Sequence, residues 1–307
     1  MSLRINNNIE SMNAHRNLLM NDRALSKSLE RLASGQKINR AADDPAALVI
    51  SEHMRAQISG MEQAIRNNEV AISLVQTAEG SMNEISNILV NLRQRAISAA
   101  NVGASDKEMI DANQAEIENA LASIDRVVST TQFGHYKLLD GTNAAKTETN
   151  EDGSISTQEG LRFHVGPNAE HMASTSIRDM STSALGRSTV PEGEMPNKSN
   201  FMSLADIDVR NEQGAQDALA IIDQALTEVA SVRGELGAFQ KHTLESNLTS
   251  LQVAAENMTA AESTIRDTDM AQELATFTRN QIMTQSATAQ LAQANAMPQH
   301  VLRLLNG

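Results

Sequence analysis

The chain has 307 residues, 38 acidic against 25 basic, a formal net charge of −13, no Cys, no Trp, one Tyr and five Phe. The acidic balance excludes a binder that works by neutralising nucleic-acid phosphates, and the missing Cys excludes disulfides, thiol nucleophiles and cysteine metal sites. So few rings leave Leu, Ile, Val, Met and Ala to build a sizeable core, a composition that suits long helices.

The N-terminus, MSLRINNNIESMNAHR, lacks the apolar run of a cleavable leader. Residues 1–43 are amphipathic: Ile5, Ile9 and Met12 form one apolar face, and Leu18, Leu25, Leu29 and Leu32 another. Prolines at 45, 167, 191, 196 and 298 leave two proline-free stretches, 46–166 and 197–297. The first opens on AADDPAALVI, where Asp44 is a good N-cap and Pro45 a good first helical residue. Met54, Met61, Val75, Met82, Leu89 and Ala96 then recur on a seven-residue frame, with Asn68 at the missing step. A companion row of Ile58, Ile65 and Ile72 turns polar and is replaced by Ala78, Ile85 and Leu92, the drift of a straight helix against a strict heptad. This period predicts one helix of roughly fifty-five residues over 45–99. SDKE at 105–108 reads as a capping box for a second helix striped by Ile110, Ile117, Leu121, Ile124 and Val128.

The centre reads as strand and turn. Asp140-Gly141 and Asp152-Gly153 are turn dipeptides, LRFHV alternates Leu161, Phe163 and Val165, and 186–200 reads as loop. Beyond it, Leu219, Ile222, Leu226, Val229 and Leu236 stripe a helix from about Ala215. A break is expected near Gly234 and Gly237, then one long helix through Met258, Ile265, Met270, Leu274 and Phe277. The chain closes on LAQANAMPQHVLRLLNG, with Leu291, Val301, Leu302, Leu304 and Leu305 as its large aliphatic residues. No Asp, Glu, Lys or Arg occurs from 280 to 302. Its many Gln residues are too polar for a membrane span, so no membrane insertion is expected.

These elements predict a mainly α fold: a long helical coiled-coil bundle of paired N- and C-terminal segments around a small central β-hairpin and loop region. The expected division is 1–43 with 265–307 as terminal coiled-coil segments, 44–140 with 201–264 as a helical bundle, and 141–200 as a short strand-and-turn region without a large outer domain. Each terminal segment lacks a third element to cover it, and marginal helices become stable when many copies pack side by side. Uncharged, amide-rich faces suit that crowding, since like charges brought together repel. The tail is therefore read as a self-assembly element.

Catalytic chemistry finds no support. His164 and His171 flank Gly166 and Pro167 without helical ligand spacing, and neither HExxH nor a glycine-rich phosphate loop occurs. With no acid, base and nucleophile set, neither an enzyme nor a cofactor is expected.

The stretch LERLASGQKINRAADDPAALVISEHMRAQISGMEQAIRNNEVAISLVQTAEGSMNEI resembles the N-terminal region of bacterial flagellins, with ERLASGQKIN, ADDPA and QTAEG as its most specific parts. IRDTDMAQELATFTRNQIMTQSATAQLAQANAMPQHVLRLL is similar to the flagellin C-terminus. The resemblance implies a subunit of the extracellular flagellar filament that serves motility, its termini forming the inner core. It also implies export of the unfolded chain through the type III export apparatus, a flagellar secretion chaperone on the C-terminal segment, and filament cap and hook–filament junction proteins as neighbours. A junction protein of the flagellin-like type is the alternative reading. A helical signalling module conflicts with the strand-and-turn centre.

The resemblance further implies a contact patch for the flagellin-sensing Toll-like receptor of the host. Where the family carries Q-R-V-R-E-L-A-V, this chain reads VNLRQRAI from Val90 to Ile97. Arg93 and Ala96 are retained, and Glu116 matches an acidic contact on the next helix. Asn91 stands for an arginine, Gln94 for an acid and Arg95 for a leucine, so weak receptor activation is expected.

Overall fold

The computed structural model describes residues 8–101, 106–144, 146–149, 155–158, 160–187 and 198–305, with side chains described outside 146–149, 155–158 and 298–305. Six α-helices dominate these residues: α1 (Ile9–Ser34), α2 (Pro45–Ala100), α3 (Lys107–Thr130), α4 (Glu212–Ala238), α5 (Ser246–Arg266) and α6 (Met270–Leu305). Among the described residues between α3 and α4, three two-stranded antiparallel ladders form: β1 (Gln132–Phe133) with β2 (Tyr136–Lys137), β3 (Lys146–Thr149) with β4 (Ile155–Gln158), and β5 (Leu161–His164) with β6 (Met172–Thr175). The chain forms two compact units, Met1–Ser59 with Ala255–Gly307, and Gly60–Ala254. The first joins an N-terminal to a C-terminal stretch, and the second is continuous in sequence.

In the Gly60–Ala254 unit the heptad rows of α2 behave as their spacing requires. Met61, Asn68, Val75, Met82, Leu89 and Ala96 are all buried, and Ala78, Ile85 and Leu92 take over from the half-buried Ile58, Ile65 and Ile72. Ile117, Leu121, Ile124 and Val128 of α3 and Ile222, Val229, Val232 and Leu236 of α4 complete one continuous core. Asp44 caps α2 by accepting from the Ala47 amide at 3.0 Å.

The capping box at 105–108 rests on Ser105, which lies outside the described residues, and among those described Asp106 is the N-cap of α3 without a side-chain cap bond. Two helix courses differ from expectation. No break occurs at Gly234 or Gly237, since α4 runs through both. Two glycines cost about 1 kcal/mol each in a helix interior, which the buried Val232 and Leu236 between and beside them offset. The irregularity comes just after, as a π-helical turn over Phe239–Glu245 that leads straight into α5. It sets Phe239 against Phe163 of β5, ring centroids 6.3 Å apart. The expected single helix through Met258 and Phe277 is instead two, because α5 ends at Arg266 and α6 starts at Met270.

The central turns follow local chemistry. Asp140 Oδ1 accepts from the Thr142 amide and hydroxyl at 3.1 and 2.6 Å, and Gly141 takes φ 75°, a backbone conformation glycine adopts without strain. Asp152-Gly153 and residues 188–197 of the expected loop lie outside the described residues. Three asparagine amides hold the end of β5 to the helices. Asn67 donates to His164 O at 3.1 Å, while Asn68 and Asn247 donate to Val165 O at 3.3 and 2.5 Å. The buried Asn68 thus interrupts an apolar row in order to seat a hairpin.

Candidate assembly surface

In the other unit α1 packs along α6. A buried or half-buried row on α1 comprises Ser11, Ala14, Leu18, Asn21, Leu25, Ser28 and Leu32, spaced alternately three and four residues apart. The matching row on α6 is Glu273, Phe277, Asn280, Thr284, Ala287, Leu291 and Ala294. These are the seam positions of a two-stranded coiled coil. Polar members fix its register and direction. Asn8 Nδ2 donates to Ala294 O at 2.8 Å, Ser11 Oγ to Asn295 Oδ1 at 2.6 Å, Asn21 Nδ2 to Met283 O at 3.4 Å and Asn280 Nδ2 to Ser28 Oγ at 3.3 Å. Arg31 meets Glu273 at 3.6 Å. Ascending numbers on α1 pair with descending numbers on α6, so the helices run antiparallel.

The seam is thin. Ser28 is the buried side chain of α1, and Glu273, Ala287 and Ala294 are those of α6, so among the described residues no large apolar group is fully withdrawn from water. The opposite faces carry exposed large apolar residues, beside charges such as Arg16, Arg23 and Lys27 on α1. Ile9, Met12, Leu19 and Met20 of α1 are exposed, as are Leu274, Ile282, Met283 and Met297 of α6. Leu29 departs from the face shared by Leu18, Leu25 and Leu32: it falls one residue past Ser28, which holds the seam position, and is exposed. Ile5 lies outside the described residues. Helix α6 runs through Val301, Leu302, Leu304 and Leu305, whose side chains also lie outside them.

The segments joining these helices to α2 and α5 are stitched to each other. Gly35, at φ 72°, ends α1 in the left-handed conformation. Next to it Gln36 bridges Asp267: the Lys37 amide donates to Arg266 O at 2.7 Å and the Thr268 amide to Gly35 O at 2.9 Å. Asp269 starts α6 by accepting from the Ala271 and Gln272 amides at 2.9 and 3.2 Å. Lys27 approaches Asp43 at 2.7 Å and, with the Arg40 and Asn39 amides, holds its carboxyl below the ordinary carboxylate range. The hydrogen bond from Arg266, aided by Arg55, does the same to Glu52. ERLASGQKIN and IRDTD, quoted from opposite ends of the sequence, therefore meet.

A family profile described as the bacterial flagellin N-terminal helical region matches residues 5–144, and one described as the bacterial flagellin C-terminal helical region matches 219–305. The flagellin of Bacillus subtilis strain 168 is 41% identical over 99% of this chain and 100% of its own length. The chain belongs to the bacterial flagellins. The flagellar filament 30.7 kDa core protein of Treponema maltophilum is 38% identical to this flagellin over 98% of it and 99% of the relative. A solved structure described as a flagellar hook-associated protein of Vibrio parahaemolyticus shares its fold alone, with a TM-score of 0.56 and 14% identity over 73% of this chain and all of the other. As a family member, this flagellin is a structural subunit of the flagellar filament.

The positions that the sequence reading assigns to a receptor patch lie on α2 and α3. Val90, Asn91, Arg93, Gln94, Arg95 and Glu116 are all exposed. The arginines are engaged within the subunit: Arg93 donates to both Asp223 oxygens of α4, at 2.6 and 3.4 Å, and Arg95 pairs with Glu116 at 2.8 Å. Sequence reasoning missed Leu19, Met20, Ile282 and Met283 on the outward faces. Their signal was available in the seam frame, since each falls outside the three-four row that carries Leu18 and Phe277. Among the described residues no His, Asp and Glu group is placed to hold a metal, and no helix is long and apolar enough to cross a membrane.

Proposed function

We propose that this flagellin polymerises through the outward faces of its α1–α6 pair, with the terminal segments 1–43 and 265–307 forming the inner filament core. The observation that carries this reading is the row of exposed Ile, Leu and Met on both helices, continuous with an uncharged stretch at 280–302. Burying each large side chain against a neighbouring copy contributes about 1.5–3 kcal/mol before ordering costs. The thin seam supports the same reading: a helix pair that buries little on its own gains most of its stability from neighbours.

The subunit's role on this reading is structural and not catalytic, and its place is outside the cell. It is exported unfolded through the type III apparatus, its C-terminal segment held by a secretion chaperone, and it joins the filament between junction and cap proteins. The reading also holds that the monomer activates the host Toll-like receptor weakly. Asn91 lacks the guanidinium fork of the family motif, and Arg95 occupies Glu116.

The test is a chain lacking 291–307, added as monomer to sheared filament seeds. It should keep a folded α2–α3–α4 bundle by circular dichroism and fail to elongate seeds in electron micrographs. Normal elongation by the truncated chain would reject the proposal.

A further inference from the structure

Among the described residues, half of the exposed large apolar side chains on the α1–α6 pair are methionines. Met12 and Met20 on α1 are 68% and 61% exposed, and Met270, Met283 and Met297 on α6 are 50%, 50% and 41% exposed. The other unit keeps methionines of both kinds. Met61, Met82 and Met180 are at most 5% exposed, while Met109, Met172 and Met202 are 51%, 41% and 59% exposed. A thioether suits a face that must be apolar in an assembly yet adaptable, because its unbranched chain fills irregular gaps. It is also the apolar side chain that mild oxidants convert to a polar one, and its susceptibility follows its exposure.

We propose that the five exposed methionines of the α1–α6 pair are an oxidative modification site that gates assembly: peroxide converts them to sulfoxides in the free subunit, and the oxidised subunit is refused by the growing polymer. The inference rests on the proposed reading that this face meets other copies. The thioether sulfur attacks one oxygen of hydrogen peroxide, the O–O bond breaks and an S–O bond forms. The second oxygen leaves as water with both peroxide protons. Sulfur gives up two electrons, and the peroxide is reduced. The product carries a strong hydrogen-bond acceptor that the apolar side chains of a neighbouring copy leave unsatisfied, so burying it against them is unfavourable. The monomer's own fold is indifferent, because none of the five holds the core. Assembled subunits cover the same sulfurs and are protected.

The experiment treats monomeric flagellin with hydrogen peroxide, maps sulfoxides by peptide mass spectrometry, removes the oxidant and follows seed elongation by light scattering. Sulfoxide is expected at Met12, Met20, Met270, Met283 and Met297 well before Met82 and Met180. The critical concentration for elongation should rise about tenfold or more, the effect of one poorly matched polar group at an interface. A variant with all five changed to Leu should elongate untreated and stay competent after peroxide. Met109→Leu/Met172→Leu/Met202→Leu should lose elongation as the parent does. Preformed filaments should show less sulfoxide at the five sites than monomer.

Two results overturn the inference: a five-Leu variant as sensitive as the parent, or a parent with the sulfoxides verified that elongates normally. The pair Met12→Gln and Met283→Gln, without oxidant, separates this from the assembly reading. Elongation of that pair at the parent rate removes the assembly face itself and the inference with it. A blocked pair beside an oxidised parent that still elongates removes the redox gate alone.

Discussion

The Arg266 guanidinium meets the Glu52 carboxylate at 2.7 Å, tying the last turn of α5 to the start of α2 beside the Gln36–Asp267 bridge. Arg266 is largely covered, at 14% side-chain exposure, whereas Glu52 stands at 51%. The contact thus sits where two chain segments, one from each end of the sequence, are held side by side.

That geometry predicts a pH dependence. Glu52 and Asp43 both titrate below the ordinary carboxylate range, through Arg266 and Lys27 respectively. The native state therefore binds fewer protons than the unfolded one across that range. The contribution is complete above the ordinary carboxylate values and is lost as pH falls through the depressed native ones. Protection of the Lys37 and Thr268 amides, measured by NMR exchange, should fall on acidification before the bundle melts. Glu52→Gln should lower that protection already at neutral pH and flatten its pH dependence. Equal protection in both proteins would show that the pair does not hold the connector.

The thin seam predicts uneven stability within the monomer. Helices α1 and α6 bury no large apolar side chain fully among the described residues, while α2, α3 and α4 share a core of Met82, Ile85, Leu89, Ile117 and Ile222. In dilute monomer the amides of α1 and α6 should exchange roughly a hundredfold faster or more than those of α2, an opening free energy ~3 kcal/mol smaller. Polymerisation should bring the two classes together. Uniform protection in dilute monomer would mean that the pair is stable without neighbours.

Much of this was legible in the sequence where a long period and a core coincide. The α2 rows led to its core residues because a sustained stripe needs no tertiary information, and the drift from Ile72 to Ala78 was visible in the letters. The break at 267–269 was not legible, because Ile265, Met270 and Phe277 keep apolar spacing across it. What ends α5 is the bridge from Gln36 and the cap supplied by Asp269, one of them contributed from more than two hundred residues away. Gly234 and Gly237 misled for the converse reason, since buried neighbours outweigh glycine's propensity. Leu29 and Leu25 look alike as letters, and only the partner helix separates the exposed from the seated.

The receptor patch gives a further prediction. Asn91→Arg with Arg95→Leu restores the family's guanidinium and aliphatic group and releases Glu116 from its 2.8 Å pair with Arg95. Monomer carrying both changes should activate reporter cells bearing the flagellin-sensing Toll-like receptor at least about tenfold more strongly, the effect of regaining one interface anchor. Arg93 is the arginine of the motif that the chain retains, held by Asp223, and its substitution should lower activation of the repaired protein. A parent monomer as potent as an activating flagellin would contradict the proposed weak recognition.

The central claim is that the outward face of α1–α6 is where copies meet, and one variant tests it most directly. Changing Met12 and Ile282 together to Lys places charges on the two exposed faces without touching Leu18, Leu25, Phe277 or Leu291 in the seam. The monomer's unfolding free energy should move by no more than ~0.5 kcal/mol, as for ordinary surface changes, whereas each charge buried unpaired between copies costs several kcal/mol. Sedimentation of seeded reactions should find the variant wholly in the supernatant while the parent pellets as filament. A variant that pellets like the parent would contradict the account.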